Sequence, residues 1–193
     1  GGGVETDGHG TLLAHASCWV HENRNAEPRD VIERRLRIAL GGEWMIWAPG
    51  VKNLDITDYH IDALARFVGP GRVLIQLPER PDPSDPVSMA AFQTHDILRN
   101  ATDAAGRPLM VTVIPAPWDT RVTAPDFVAS YVNYYVCNGA VIAAQFGDRD
   151  TDAEAVRTLM GLYPGREVVT LNVDPIGETG GGIHCATQPQ PTV

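Results

Sequence analysis

Ser130-Tyr131-Val132-Asn133-Tyr134-Tyr135-Val136-Cys137-Asn138-Gly139-Ala140-Val141-Ile142-Ala143-Ala144-Gln145-Phe146 reads as a β-hairpin. Asn138-Gly139 is the turn signal, because a tight hairpin turn needs positive φ and this pair adopts it at little cost. The spacing after it predicts a helix over Asp152–Leu162, with Thr151 or Asp152 as N-cap, and then a strand over Arg166–Val173. Hairpin, helix, strand is one ββαβ unit. The same order occurs twice upstream. Gly3–Val20 reads as a hairpin turning at Asp7-Gly8-His9-Gly10, followed by a helix over Glu27–Leu40 that Gly41-Gly42 ends, and a strand over Glu43–Ala48. Tyr59–Leu77 reads as a hairpin turning at Gly69-Pro70-Gly71, followed by a helix over Val87–Ala104 behind a Pro/Asp-rich lead-in, and a strand over Pro108–Ile114. A further strand begins near Gly180. The expectation is an α/β chain of about three ββαβ modules (1–50, 51–117 and 118–175) with a terminal strand in 180–193.

The composition bounds the function classes. A chain of 193 residues with 44% apolar and 20% charged residues can bury one sizeable core. A net charge of −9 disfavours nucleic acid and anionic membrane surfaces and permits a cationic ligand. No run approaches the roughly 20 apolar residues of a membrane span. The three cysteines, Cys18, Cys137 and Cys185, are too few and too far apart for a disulfide framework or a zinc pattern, so a reducing, cytoplasmic compartment is the default. Cys18 and Cys137 lie in apolar surroundings and read as packed core thiols. No GxGxxG, Walker or GxSxG motif is present.

Two places carry candidate chemistry. Gly180-Gly181-Gly182-Ile183-His184-Cys185 sets a thiol after a glycine run, where the backbone can turn sharply and leave room for a ligand. Cys185 is either a structural thiol or a nucleophile, and both readings stay open from the residues alone. His184, adjacent to it in a strand, would face away and take a structural role. In Tyr59-His60-Ile61-Asp62, a strand would put His60 and Asp62 on one face, although a His-x-Asp pair alone is more often a polar surface than a site. His9, His15, His21 and His95 read as surface residues. A thiol, an imidazole and a carboxylate are the parts of a nucleophilic site.

Several segments in order along the chain carry a resemblance: Gly1-Gly2-Gly3 through Asp7-Gly8-His9-Gly10-Thr11, Cys18 with Asn23-Arg24-Asn25, His60–Phe67, Ser130–Tyr135, Asn138–Ile142 and Gly180–Gln188. Together they resemble the agmatine deiminase and bacterial peptidylarginine deiminase family of the pentein superfamily. The resemblance implies a five-bladed α/β propeller of ββαβ modules with its site on the axis. It implies Cys185 as nucleophile, His60 as general acid and base, Asp62 as guanidinium ligand, and Gly181 and Gly182 as supporting residues. It implies no metal and no cofactor, a small cationic guanidino substrate, and room for a homo-oligomer. It also implies two further acids, an Asp upstream and a Glu immediately before Gly1-Gly2, outside this chain, with Glu5 at the wrong position to replace the latter. The chain therefore resembles the C-terminal part of a deiminase converting agmatine to N-carbamoylputrescine and ammonia. The alternatives are peptidyl-arginine as substrate, or a catalytically incomplete product with a binding or assembly role.

Overall fold

The computed structural model describes residues 2–190. Its strands are β1 (Val4–Thr6), β2 (Thr11–His15), β3 (Trp44–Ala48), β4 (Ala65–Gly69), β5 (Arg72–Leu77), β6 (Met110–Pro115), β7 (Tyr135–Cys137), β8 (Ala140–Gln145) and β9 (Glu167–Asn172). Its helices are α1 (Ala16–Trp19), α2 (Arg29–Leu40), α3 (Pro86–Asn100), α4 (Arg149–Leu162) and α5 (Asp174–Gly177). The strands form three three-stranded sheets, β1-β2-β3, β4-β5-β6 and β7-β8-β9. In each, the first two strands are antiparallel and the third returns parallel to the second after a helix. A parallel return needs such a crossover, which is why a helix of 12 to 15 residues separates the last two strands of every sheet.

The middle strands are buried on both faces. In β2, Leu12 and Ala14 pack with Ile32 and Leu36 of α2, while Leu13 points into a second core with Val73, Ile75, Ala91 and Leu98. In β5, Leu74 points the other way, to Ile114, Val141 and Leu159. Alternate residues of one strand thus serve two cores, and two of the three cores are shared by neighbouring units, the third lying within the first unit. Helix α3 packs on β3 of the preceding unit as well as on its own β5, and α4 on β6 as well as β9. The units therefore cannot bury their apolar faces singly.

Several sequence expectations shift. The first hairpin ends at His15, and Ala16–Trp19 turns helical instead of extending to Val20. Helix α3 stops at Asn100, not Ala104. The third hairpin is short: Ser130–Tyr134 forms no strand, and Tyr131, Val132 and Tyr134 are buried plugs in irregular backbone. Helix α4 begins at Arg149, with Asp148 as its cap in place of Thr151 or Asp152. Asp152 is occupied elsewhere: its carboxylate accepts the Phe146 and Gly147 N–H groups (2.9 and 3.0 Å) and the Tyr131 hydroxyl (2.7 Å). The terminal strand is absent from the described part of 180–193: α5 and successive turns run through Ala186, and residues 187–190 carry no strand, while 191–193 lie outside the described residues.

Asp148 accepts the N–H of Thr151 through one oxygen and those of Trp118 and Asp119 through the other. The Trp118 hydrogen bond, then that of Thr151, hold its carboxyl down to about 2, against the opposing push of burial. A depressed carboxyl stabilises the fold above its ordinary value of 3.8 and loses that contribution as pH falls toward about 2. Asp148→Ala is expected to cost about 1 kcal/mol near neutral pH, the usual loss for an N-cap. In urea titrations at a series of pH values, its deficit against the parent should shrink across that acid window. A deficit independent of pH would show that the cap's charge contributes nothing.

Candidate active site

Asp62 is the centre of the site. It is fully buried, at 0% exposure, in the 3-10 turn Ile61–Ala63. Its Oδ2 lies 2.8 Å from His184 Nδ1 and 3.4 Å from the Cys185 sulfur. Its Oδ1 has no hydrogen-bond partner among the described residues. The sequence brings Asp62 and Cys185 from 123 positions apart into contact. Burial pushes the Asp62 carboxyl up, and the His184 hydrogen bond and charge, with Cys185 and His60, outweigh it, so it titrates below the ordinary range.

The segment that carries Cys185 is pinned by Asn133. The Asn133 Oδ1 accepts the His184 N–H (2.9 Å) and the Cys185 N–H (3.4 Å), and its Nδ2 donates to the Asp62 carbonyl (3.2 Å) and to the Cys185 sulfur (3.3 Å). Cys185 is exposed at the surface of this arrangement. Burial of its sulfur, then the Asp62 charge, push the thiol up, so the resting form is protonated. Two glycines permit the approach. A Cβ on Gly2 would lie 2.2 Å from the Asp62 carboxyl, and one on Gly182 would lie 2.3 Å from Asn133 Oδ1. Gly181 differs, since its Cβ would meet nothing nearer than 3.6 Å.

His60 is placed differently from the strand expectation. Asp58 and Tyr59 take positive φ (60° and 66°), and the backbone then enters the 3-10 turn, so no strand face unites His60 with Asp62. The cause is local. The Asp58 carboxylate accepts the Asn53 N–H (2.9 Å) and Asn23 Nδ2 (3.3 Å) and faces Arg24 and His21 at 3.5 and 3.6 Å. The Ser17 hydroxyl donates to the Asp58 carbonyl, and His15 Nδ1 lies 2.8 Å from the Tyr59 carbonyl. The loop is thereby fixed in a left-handed conformation that non-glycine residues rarely adopt. The His60 ring is half-buried against Gly3 and makes no hydrogen bond to Asp62 or Cys185. Burial lowers its basicity, against the opposing pull of the Asp62 charge, so neutral imidazole is favoured.

Other residues move too. His184 does not face away: with Cys185 in a turn, not a strand, its ring lies against Asp62, with Nε2 4.0 Å from Glu5. His15 and His21 are buried, not surface residues, and burial takes His15 down to about 4, keeping it neutral. Cys18 is buried as expected, while Cys137 is only half-buried. Beyond His184, a cleft of about 600 Å³ runs from Cys185 and Gln188 to Glu5 and Arg66. Glu5 and Arg66 pair at 3.0 Å, and Arg66 stacks 4.9 Å over the Tyr134 ring. Asn133, Gly2 and His184 were missed as site residues because their roles arise from contacts across long sequence separations; only the glycine runs signalled close approach.

Known proteins resemble this chain in sequence and in fold. The model of the Porphyromonas-type peptidyl-arginine deiminase family covers residues 1–191, and the chain belongs to that family. The agmatine deiminases of Medicago truncatula and Pseudomonas putida are 35% and 34% identical over 100% and 99% of the chain. The solved agmatine deiminase of Enterococcus faecalis superposes on 97% of it with a TM-score of 0.87 at 29% identity. The three ββαβ units are thus those of the pentein α/β fold. The chain spans 57% and 56% of the two relatives' lengths and 56% of the solved chain.

Gly182→Ala is expected to destabilise by about 1–3 kcal/mol, as overpacking does, and to slow Cys185 alkylation by displacing the turn. Gly181→Ala should stay within about 0.5 kcal/mol of the parent. Thermal melts and iodoacetamide labelling check both. Equal behaviour of the two variants would mean that Asn133 does not set the path of this turn.

Proposed function

We propose that the complete protein hydrolyses a C–N bond of a guanidino compound, with agmatine as substrate and N-carbamoylputrescine and ammonia as products. The observation that carries this reading is Asp62 Oδ1, a buried carboxylate oxygen without a partner among the described residues, beside an exposed thiol. A buried charge left short of donors is costly, and a guanidinium brings both the opposite charge and N–H donors in a planar array that matches a carboxylate. Agmatine is the favoured substrate because the relatives above bear that name. An acidic chain, at −9, suits a cation.

The resting protonation states fit the proton balance of such a reaction. The Cys185 sulfur adds to the central guanidinium carbon while its proton passes, through His60, to the departing nitrogen. Thiol plus guanidinium then give an S-alkylthiouronium cation and neutral ammonia, with charge and hydrogens conserved. Water attacks the same carbon, neutral His60 takes one of its protons, the C–S bond breaks as the other returns to sulfur, and a neutral ureido product leaves, His60 giving its proton to solvent. The lowered basicity of His60 suits the second step, and Asp62 holds the cation throughout.

Ammonia release from agmatine should vanish in Cys185→Ala and persist in Cys18→Ala and Cys137→Ala. His60→Ala should lower kcat by about two orders of magnitude, the usual worth of an acid/base group. Asp62→Asn should raise KM as well, since an amide cannot pair with the cation. Turnover by Cys185→Ala, or an Asp62→Asn variant with parental KM and kcat, would remove the basis of the assignment. Stronger turnover of peptides with terminal arginine than of agmatine would move the substrate to that alternative.

A further inference from the structure

We infer that Asn133 is a catalytic group that stabilises the Cys185 sulfur as a thiolate. The inference rests on the reading of Cys185 as nucleophile. Asn133 is 2% exposed, and its amide orientation follows from its surroundings. One end meets two donors, the His184 and Cys185 N–H groups, and must be the carbonyl oxygen. The other end meets two acceptors, the Asp62 carbonyl at 3.2 Å and the Cys185 sulfur at 3.3 Å, and must be the NH2 group. The two NH2 hydrogens are thereby divided: one ties the amide to the backbone of the Asp62 turn, and the other is held on sulfur.

That hydrogen has a function beyond packing. In the resting site the thiol donates to Asp62 Oδ2 at 3.4 Å, a contact that favours the protonated sulfur. Once a cation engages Asp62 and the sulfur proton departs, the sulfur carries a negative charge beside a carboxylate. A donor already aimed at it stabilises that charge without reorganisation. The titratable and charged groups facing the sulfur, among the described residues, are Asp62 on the turn before β4, Arg66 on β4, Glu5 on β1 and His184 on its own segment, with His60 next to Asp62. Asn133 touches two of them, Asp62 and His184, and only through their backbone groups. Asn133 is neutral, so its contribution persists whether or not substrate is bound.

The test is the pH dependence of Cys185 alkylation by iodoacetamide in the complete protein, read by mass spectrometry on the Cys185 peptide. Asn133→Leu removes the donor from sulfur at similar side-chain volume and adds no charge that would itself raise the sulfur's midpoint. Its labelling midpoint should move up, and labelling near neutral pH should slow by about tenfold or more, the size of one lost hydrogen bond to a charged group. Its alkaline plateau, which reports access to a fully ionised sulfur, should stay close to the parent's. A role confined to packing would lower the plateau and leave the midpoint in place, and that result overturns the inference. Should Asn133→Leu melt out, Asn133→Ala is read the same way, with a cooperative melt as entry condition, and an unmoved midpoint in it is equally decisive. Ammonia release by Cys185→Ala separates the two ideas: activity there would sink the nucleophile assignment, while a moved midpoint would still establish the amide's hold on sulfur.

Discussion

The site depends on a carboxylate with no exposure to water. Burying Asp62 as an anion is unfavourable unless donors and positive charge surround it. Here His184 supplies a ring nitrogen at 2.8 Å and the Cys185 thiol a weak donor at 3.4 Å, which leaves one oxygen unfilled. Gly2 lies over the carboxyl so closely that a side chain there would collide with it. These neighbours come from the two ends of the chain, Gly2 from the approach to the first strand and His184 and Cys185 from the segment after α5, and meet Asp62 on the turn before β4. The two cores shared between neighbouring units hold those parts in register.

The electrostatics follow from the same burial. Asp62 stays ionised because hydrogen bonds outweigh desolvation, whereas Cys185 is pushed toward the thiol and His60 toward neutral imidazole. At rest Asp62 is thus an anion, the Cys185 sulfur is protonated and His60 is a free base. On the proposed reading, a guanidinium enters as the missing counter-charge and shifts the sulfur toward ionisation. Lower down, Asp58 fixes the loop that carries His60. Its hydrogen bonds hold two successive residues at positive φ, an arrangement that costs about 1–3 kcal/mol per residue and persists only when its surroundings dictate it.

The architecture was legible because each unit repeats signals of short range. Asn138-Gly139 turns β7 into β8, and Gly41 ends α2 at φ 66°. Cys185 and Asp62 stood out by residue type and by glycine context. Legibility failed where a long-range contact overrode local preference. His60 and Asp62 looked like a strand pair, but Asp58's partners, drawn from residues 21–24 and Asn53, bend the chain away. A strand at Cys185 would turn His184 away from the thiol, but residues 183–186 form a turn that brings its ring to Asp62. Asn133, three residues into a segment read as a strand, gave no local sign of contacts with positions 71 and 52 residues away.

The most direct measurement is a rapid acid quench of the complete protein turning over agmatine, followed by peptide mass spectrometry. The account predicts a transient adduct on the Cys185 peptide, of mass equal to agmatine less ammonia, and none on the peptides of Cys18 or Cys137. Turnover that proceeds with no adduct on Cys185 at any quench time, while Asp62→Asn still impairs it, would contradict covalent catalysis at this sulfur.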